Sequence, residues 1–486
     1  MADKTDKNGA WNKERKRINR TALISVALAA MMIITFFAGY FVRGTVEPTT
    51  SQEMTAIMRL LKENSIYVSE QSAEELSPQI LKMDELSAQF VQKVIAPYDP
   101  YAAYYSPQEY KQLLEEDRGR YSGVGIGLTF DKDTGSVKIA KVYLNSPAYK
   151  NGVKESDVLV AGIKKGETEY TYFNTAVLEF NQDKPENERI TALKLVNEFF
   201  AGFEIGDEIK IKVERGGEAE PLNFTLKKQD YIVSYVEYRD NETYYYFSTE
   251  DDGYKGREPQ SAAEKAAESI PYLDVDTAYI KLYEFEGDAA KQFGQALEFM
   301  RTQGRTKLIL DLRDNGGGLI DILLDIASYL INDNDAKDIR VLNFKDKISE
   351  SHYSTENKFY TGENRLTDIS VIANTKTASA SECLIGALID YGDKETHNGA
   401  QFNTNRLILT EHNYAREYFC TYGKGIMQTT YGLPSGGALK LTTAKIFWPI
   451  SKWVCVQDIG ITTVPDNCVS DENAIARANE VLRTLP

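Results

Sequence analysis

Residues 307–318 read Lys-Leu-Ile-Leu-Asp-Leu-Arg-Asp-Asn-Gly-Gly-Gly, an apolar run that ends in a charged, glycine-rich turn. The run predicts a buried β-strand, and the three glycines allow the backbone to turn sharply and point its N–H groups at one place. A helix is predicted over 319–331, so these N–H groups would lie near the positive end of its dipole. Such a loop can stabilise the negative charge that develops during acyl transfer, although alone it is more often an ordinary turn.

Strands and helices alternate on both sides of this stretch. A strand over 278–282 and a helix over 289–300 precede it, and a strand over 371–374 and a helix over 380–391 follow. The alternation predicts an α/β fold in which a mixed sheet has flanking helices.

A second motif, Thr377-Ala378-Ser379-Ala380-Ser381-Glu382, lies where the later strand gives way to its helix. A serine at such a turn exposes its hydroxyl, and the next N–H, that of Ala380, would join the anion pocket of the glycine loop. The alternative is that the hydroxyls of Thr377, Ser379 and Ser381 only cap the helix. Both interpretations can hold, for different hydroxyls.

The segment Gly423-Lys424-Gly425-Ile426-Met427-Gln428 supplies a base for this serine. A serine hydroxyl needs a neighbouring group to remove its proton, and a lysine can do so only if burial lowers its pKa. If the segment is extended, Lys424, Ile426 and Gln428 project to one side, so Gln428 could orient the amine while Ile426 excludes water. A surface lysine in a turn is the alternative. The only histidines are His352, His397 and His412, and none lies in a triad motif.

Glycines alternate with apolar residues in Gly123-Val124-Gly125-Ile126-Gly127-Leu128, and further strand and helix patterns follow up to Gly217. This order resembles a circularly permuted PDZ domain of the bacterial type. The resemblance implies that residues 123–128 bind a peptide terminus through free N–H groups and a sheet edge. Residues 164–190 depart from it as a polar insertion, which we expect to be a surface loop.

The N-terminus combines a basic tail with an apolar stretch. Residues 1–20 carry a net charge of +4, and residues 21–42 contain no charged side chain. Twenty-two such residues are enough to cross a bilayer, and the basic flank predicts that the tail stays in the cytoplasm. The alternative, a cleaved signal peptide, is disfavoured by the length of the stretch and by its end at Gly39-Tyr40-Phe41-Val42.

Charge and cysteines exclude several classes of function. The chain has a net charge of −16, which argues against a nucleic-acid partner. The spacings of its four cysteines match no zinc motif, so no metal site is predicted. Disulfides are permitted outside the cytoplasm, and four cysteines allow three pairings. The cysteines are Cys383, Cys420, Cys455 and Cys468.

Together with Asp99-Pro100 and residues 106–110, these motifs make the chain resemble the C-terminal processing peptidase (tail-specific protease) family over about residues 90–465. The resemblance implies that Ser379 is the nucleophile, Lys424 the general base and Gln428 the residue that positions it. The oxyanion hole would consist of the N–H of Ala380 and that of Gly317 or Gly318. Asp390 corresponds to a family position that supports the site.

One departure from the family concerns the 45 positions that separate Ser379 from Lys424, about twice the usual number. The extra segment, roughly 395–420, is expected to be a surface loop, a lid or a redox-sensitive clamp.

We therefore expect a cytoplasmic tail (1–20), a transmembrane anchor (21–42), an N-terminal helical region (44–118), a PDZ-like β-rich domain (119–229) and a Ser/Lys peptidase core (230–486). The expected protein is a single-pass serine endopeptidase of the inner membrane whose catalytic part is extracytoplasmic. It would need no cofactor and would take substrates with apolar or unstructured C-termini. Whether the protein has an activator in the envelope or forms a homo-oligomer is left open by the sequence. The alternatives are a catalytically silent PDZ scaffold and an esterase or amidase.

Overall fold

The computed structural model describes residues 50–69, 71–72, 95–131, 134–182, 184–185, 189–247, 269–333, 338–392, 399–451 and 454–484. The predicted tail and transmembrane anchor, residues 1–42, lie outside these ranges. None of the helices within these ranges combines the length and the apolarity that a bilayer crossing requires.

Helices and strands follow each other throughout these ranges. The helices are α1 (Thr50–Asn64), α2 (Pro107–Glu116), α3 (Pro147–Lys150), α4 (Phe173–Asn181), α5 (Ala192–Ala201), α6 (Ala289–Thr302), α7 (Ile320–Leu330), α8 (Ala380–Tyr391) and α9 (Ala474–Thr484). The strands are β1 (Ala103–Tyr105), β2 (Arg120–Gly123), β3 (Ile126–Phe130), β4 (Val137–Val142), β5 (Val158–Gly162), β6 (Thr171–Tyr172), β7 (Glu208–Glu214), β8 (Leu222–Lys227), β9 (Gln229–Ile232), β10 (Val236–Arg239), β11 (Tyr244–Tyr246), β12 (Thr277–Leu282), β13 (Lys307–Asp311), β14 (Asp338–Lys345), β15 (Glu350–Glu356), β16 (Asp368–Ala373), β17 (Leu407–Leu409), β18 (His412–Asn413), β19 (Tyr418–Phe419), β20 (Ile426–Gly432) and β21 (Ala438–Phe447).

The central sheet has the order β11-β10-β12-β13-β16-β17. Its first two pairings are antiparallel, and those from β12 to β17 are parallel. Leu308 and Leu310 of β13 pack with the layer that contains α6, α7 and α8, whereas Ile309 packs with α9 on the opposite face. Burial on both faces explains why this strand is continuously apolar. The predicted mixed sheet with flanking helices is confirmed.

A second sheet stands beside the first, in the order β1-β21-β14-β15, and β20 also pairs with β21. Strand β1 shows that the region over 44–118 is not wholly helical among the described residues. The carboxylate of Asp99 accepts hydrogen bonds from the Thr442 N–H at 2.7 Å and from its hydroxyl at 2.9 Å, and so ties the turn before β1 to β21. Ser106 caps α2, and Pro107 is the first residue of this helix.

A third sheet, β3-β4-β5-β7-β8 with β6 beside β5, has its own apolar core. The prediction of a simple surface loop over 164–190 is wrong in part, since the segment contains β6 and α4. Phe173 of α4 is 2 % exposed and packs edge-on against Phe199, with ring centroids 5.3 Å apart. Val177 of the same helix also packs against this core, so the apolar residues of α4 attach the insertion to it.

The segment over 395–420 is also more than a surface loop. Residues 407–409 form β17, a completely buried edge strand that extends the central sheet. The short apolar run Leu407-Ile408-Leu409 explains this, because a fully buried strand needs no polar alternation.

Candidate active site

A cavity of about 400 Å³ opens at the carboxyl ends of the parallel strands β13 and β16. This edge is where sheets of this type place their sites, because the loops that leave the strands meet there. The cavity brings together the glycine loop, the serine turn and the lysine segment of the sequence. Its lining comprises Glu284, Glu286, Gly316, Gly317, Gly318, Ile320, Leu323, Leu342, Ser379, Ala380, Cys383, Lys424, Ile426, Met427, Gln428, Lys440 and Ile446.

Ser379 stands at the turn between β16 and α8, with φ 56° and ψ −115°. These angles belong to the second position of a type II′ turn, which favours glycine. A serine held there costs about 1–3 kcal/mol, which the surrounding structure must offset. The side chain of Ser379 is half-buried and lines the cavity.

The neighbouring hydroxyls are used by the fold. Thr377 is fully buried; its hydroxyl donates to the Leu312 carbonyl at 2.8 Å and accepts the Asn374 N–H at 2.9 Å. The hydroxyl of Ser381 is buried too and donates to the Asn315 carbonyl at 3.1 Å. Of the three hydroxyls in the motif, that of Ser379 is the one that faces the cavity.

The glycine loop packs tightly against the serine turn. Gly317 has φ 101°, and a Cβ atom there would lie 2.8 Å from the Ala378 carbonyl oxygen, the Ala380 nitrogen and the Ser379 Cβ. Its N–H donates to Asn315 Oδ1 at 2.9 Å. Among the described residues, the N–H groups of Gly318 and Ala380 donate to no other group. Gly318 is therefore the glycine that can pair with Ala380 in an oxyanion hole.

Replacing Gly317 with alanine is expected to lower kcat about 10²–10³-fold, the usual effect of losing one oxyanion donor. The added methyl group would push the loop away from Ser379 and Ala380. Peptide cleavage and the melting temperature should be measured together, so that misfolding is recognised. Gly316→Ala is the matched control, because its Cβ would meet no heavy atom within 4 Å. A parent-like kcat in Gly317→Ala would contradict the role of this loop.

A single buried carboxylate joins the serine turn to the lysine segment. Glu382 is 1 % exposed, and its Oε2 accepts the N–H of Ser379 at 3.0 Å and that of Lys424 at 2.8 Å. Its Oε1 accepts the Gly423 N–H at 2.8 Å and the Thr421 hydroxyl. Burial raises the pKa of Glu382, although these hydrogen bonds oppose the shift. The relative position of Ser379 and Lys424 thus depends on Glu382, for which the local sequence predicts no part in the chemistry.

The side chain of Lys424 is half-buried in the cavity wall. Burial lowers its pKa below the usual lysine value, the charge of Lys440 adds to this, and Glu382 acts in the opposite direction. An amine in this environment loses its proton more easily than a surface lysine does, as a general base requires.

Gln428 lines the same cavity and donates from Nε2 to the Tyr101 carbonyl at 2.8 Å. Tyr101 follows the Asp99 turn, and its N–H donates to Asp99 Oδ1 at 3.1 Å. The upstream motif thereby fixes the amide of Gln428. A register shift between Met427 and Gln428 interrupts the expected alternation, so Met427 faces the cavity as well.

Asp390 lies away from the cavity. Its carboxylate accepts the N–H groups of Ile450 and Ser451 at 2.8 and 2.9 Å and the Ser451 hydroxyl at 2.6 Å. Any support that it gives the site therefore passes through the turn that follows β21.

Two carboxylates that no motif marked also line the cavity. Glu284 forms an ion pair with Lys141 of β4. Burial and the charge of Glu284 raise the pKa of Glu286 to about 7. The hydroxyl of Tyr121 donates to Glu286 at 3.5 Å. Lys141 thus joins the third sheet to the rim of the cavity, and Tyr121 joins β2 to it.

A larger groove of about 1090 Å³ lies between β3, α5 and α2. It is lined by Gly123–Ile126 and Leu128 of the predicted peptide-binding stretch, and by Phe200 of α5. Gly127 instead faces β4, where its Cβ would lie 3.2 Å from that of Lys141. Strand β3 stands at the edge of its sheet, with β4 as its neighbour.

All four cysteines are free thiols. Within the described residues, no group of three or more histidines, cysteines and acidic residues could hold a metal ion.

Residues 276–397 match the family model described as Peptidase family S41. The match runs from β12 to α8 and so includes the glycine loop and Ser379, but it ends before Lys424. Residues 276–397 therefore carry a peptidase S41 domain, and the resemblance to C-terminal processing peptidases is confirmed.

Three relatives illustrate the similarity. A "Probable CtpA-like serine protease" of Staphylococcus saprophyticus is 24% identical over 358 residues, 73% of this chain and 55% of the relative. A "Carboxyl-terminal-processing protease" of Synechocystis sp. is 24% identical over 362 residues, 74% of this chain and 66% of the relative. The third, a "Probable CtpA-like serine protease" of Staphylococcus aureus, is 24% identical over 452 residues, 91% of this chain and 72% of the relative. The chain thus matches less than two thirds of the length of the first two.

Among solved structures, the "Photosystem II D1 C-terminal processing protease" has a TM-score of 0.48 and 20% identity, over 88% of this chain and 94% of that one.

Proposed function

We propose that this chain is a serine endopeptidase that cleaves protein substrates near their C-terminal ends through a Ser379/Lys424 acyl-enzyme mechanism. The observation that carries the proposal is the single cavity in which Ser379, a lysine of lowered pKa and the N–H groups of Gly318 and Ala380 meet, neither of which has a partner among the described residues.

The chemistry follows from these groups. The neutral amine of Lys424 takes the proton of the Ser379 hydroxyl as Oγ attacks the peptide carbonyl carbon. The negative charge on the carbonyl oxygen is stabilised by the N–H groups of Gly318 and Ala380. The ammonium of Lys424 then protonates the departing amine, the C–N bond breaks, and an ester to Ser379 is left. A water molecule then loses a proton to Lys424 and attacks this ester. The C–O bond to Ser379 breaks, the ammonium returns the proton to Oγ, and the substrate leaves with a new carboxyl group. Among the described residues, the side-chain carbonyl of Gln428 accepts from no other group, so it can accept from the amine while its NH₂ donates to the Tyr101 carbonyl.

Cleavage itself is the first test. The full-length chain should be incubated with an unfolded protein that ends in apolar residues, and the products mapped by mass spectrometry. New termini near the C-terminal end would support the proposal. Binding without cleavage would favour a PDZ scaffold instead, and turnover of esters or of non-peptide amides alone would favour an esterase or amidase.

The groove beside β3 suggests how substrates are selected. A peptide can add a strand to an exposed sheet edge, and glycine N–H groups can hold its terminal carboxylate. The wall contributed by Ile126, Leu128 and Phe200 is apolar. We therefore propose that residues 119–229 work as a PDZ-like domain that prefers apolar C-termini.

Unfolded substrates that differ only in their last three residues should reveal this preference. We expect kcat/KM to be at least about tenfold higher for an apolar tail than for an acidic one, as burial of one or two apolar side chains implies. In Leu128→Asp, KM for the apolar tail should rise while kcat stays close to the parent value. Equal cleavage of both tails by the parent would contradict recognition through this groove.

The proposed location is the inner membrane, with residues 21–42 as the anchor and the catalytic part outside the cytoplasm. Partition of the full-length chain into membranes that resists high salt and alkaline washing would support it, whereas release of a shortened chain would indicate a cleaved signal.

A further inference from the structure

Strands β18 and β19 form a short hairpin in the segment that exceeds the usual spacing of the family. His412 pairs with Phe419 and Asn413 with Tyr418, and the His412 ring packs edge-on against that of Phe419. The Asn413 carboxamide oxygen accepts the N–H of Arg416 at 3.1 Å. The hairpin turn therefore fixes the position of the Arg416 backbone.

The guanidinium of Arg416 donates hydrogen bonds to backbone carbonyls just before Lys424. Nη2 donates to the Tyr422 carbonyl at 2.8 Å and Nη1 to the Thr421 carbonyl at 3.3 Å. Two donors in a rigid plane suit two consecutive carbonyls in a way that a single ammonium cannot.

Two glycines leave space for this guanidinium. A Cβ atom on Gly423 would lie 3.0 Å from both Nη1 and Nη2, and one on Gly460 would lie 3.2 Å from Nη1. Both glycines have positive φ, 87° and 77°, so the backbone curves around the charge. The hydroxyl of Tyr418 donates to the Ile459 carbonyl at 3.1 Å, which attaches the hairpin to the second of these turns.

The same stretch of backbone is held from the other side by Glu382. Its carboxylate accepts the N–H groups of Gly423 and Lys424, while the guanidinium donates to the carbonyls of the two residues before them. A cation on the carbonyls and an anion on the N–H groups both match the peptide dipoles, and charged hydrogen bonds of this kind are the strong ones.

We propose that Arg416 is a positioning residue that, with its hairpin, holds the segment of Lys424 in place for proton transfer. This inference rests on the proposed Ser379/Lys424 mechanism. The extra segment thus acts on catalysis through the backbone that carries Lys424.

Kinetics of the full-length chain on the unfolded protein substrate test this role. In Arg416→Ala we expect kcat to fall about 10²-fold, a typical cost of a misplaced catalytic group, while KM changes less than about threefold. The ascending limb of the kcat–pH profile should move to higher pH, because a looser Lys424 is better solvated as the ammonium. Arg416→Lys should fall between Arg416→Ala and the parent.

Chemical rescue separates positioning from general stability. Millimolar guanidinium chloride should restore part of the kcat of Arg416→Ala by filling the space between the two glycines, whereas sodium chloride at the same ionic strength should not. Arg477→Ala is the control and should behave like the parent, because it loses a hydrogen bond to Asn467 and an ion pair with Glu480, none of which line the cavity. If Arg416→Ala has the same kcat as the parent and the ascending limb of its kcat–pH profile does not move, the inference is overturned.

Hydrogen exchange tests whether Arg416 holds the segment of Lys424 even if the chain cleaves no substrate. The peptide that covers residues 421–425 should exchange faster in Arg416→Ala than in the parent, while the core strand β13 exchanges alike in both. If exchange at 421–425 is unchanged in Arg416→Ala, the proposed role of Arg416 is overturned, whether or not the parent cleaves the substrate. If the parent does not cleave the substrate but exchange at 421–425 is still faster in Arg416→Ala, the contact of Arg416 with this segment is supported. The same result counts against the proposed protease mechanism.

Discussion

Replacing Ser379 with alanine is expected to lower kcat/KM for an unfolded protein substrate by about 10⁴-fold or more, because the covalent path disappears with the hydroxyl. Fold and groove should persist, since that hydroxyl faces the cavity while the turn is held through the Ser379 N–H and Glu382. The measurement is cleavage by the purified variant, with its melting temperature and its affinity for an apolar C-terminal peptide.

Ser381→Ala is the matched control for this experiment. It removes a hydroxyl two positions away that bonds to the Asn315 carbonyl, at a stability cost of about 1 kcal/mol. Its activity should stay within about tenfold of the parent. If Ser381→Ala were silent and Ser379→Ala active, the assignment of the nucleophile would be wrong.

Ser379→Gly adds a stability readout to the same position. At φ 56° and ψ −115° glycine fits without strain, so this variant should be more stable than Ser379→Ala by about 1 kcal/mol or more while remaining inactive. Equal melting temperatures of the two variants would show that the turn stores no strain.

The second large effect is expected from Lys424→Met, which retains the apolar stem and removes the amine. We expect kcat to fall about 10³–10⁴-fold, near the upper range for loss of a general base. Lys445→Met is the control, because Lys445 lies on the adjacent strand β21, opposite Ile426, and is exposed outside the cavity. A parent-like rate in Lys424→Met would overturn the Ser/Lys mechanism.

The pH profile tests the same base without removing it. The amine acts only when neutral, so kcat should rise as the pH increases through the pKa of Lys424, which burial and Lys440 lower. In Lys440→Met the like charge is gone, the pKa of Lys424 rises, and the ascending limb should shift to higher pH. A shift to lower pH would contradict this electrostatic account.

Local sequence was sufficient to predict much of the central sheet and the helices beside it. The apolar run of β13, the glycine turn after it and the start of α8 at Ala380 each depend on neighbours a few positions apart. Backbone conformation and helix capping act over that range. The same reasoning indicated Ser379, Lys424 and the glycine loop as the chemical groups, and the structure brings all of them to one cavity.

Other features depend on contacts between distant parts of the chain. Glu382 bonds to Lys424 across 42 positions, Tyr101 holds Gln428 across 327, and Arg416 reaches carbonyls whose positions depend on the glycine turn at Gly460. The strands β1 and β17 have only three residues each, and both pair with a longer strand, β21 and β16 respectively, so their pairing depends on backbone groups far away in the chain. The sequence by itself thus determined which groups can do the chemistry, because side-chain identity and local turns suffice for that. Only the tertiary structure decided how they are held, since burial, the pKa of Lys424 and the direction of each N–H depend on partners that no local pattern specifies.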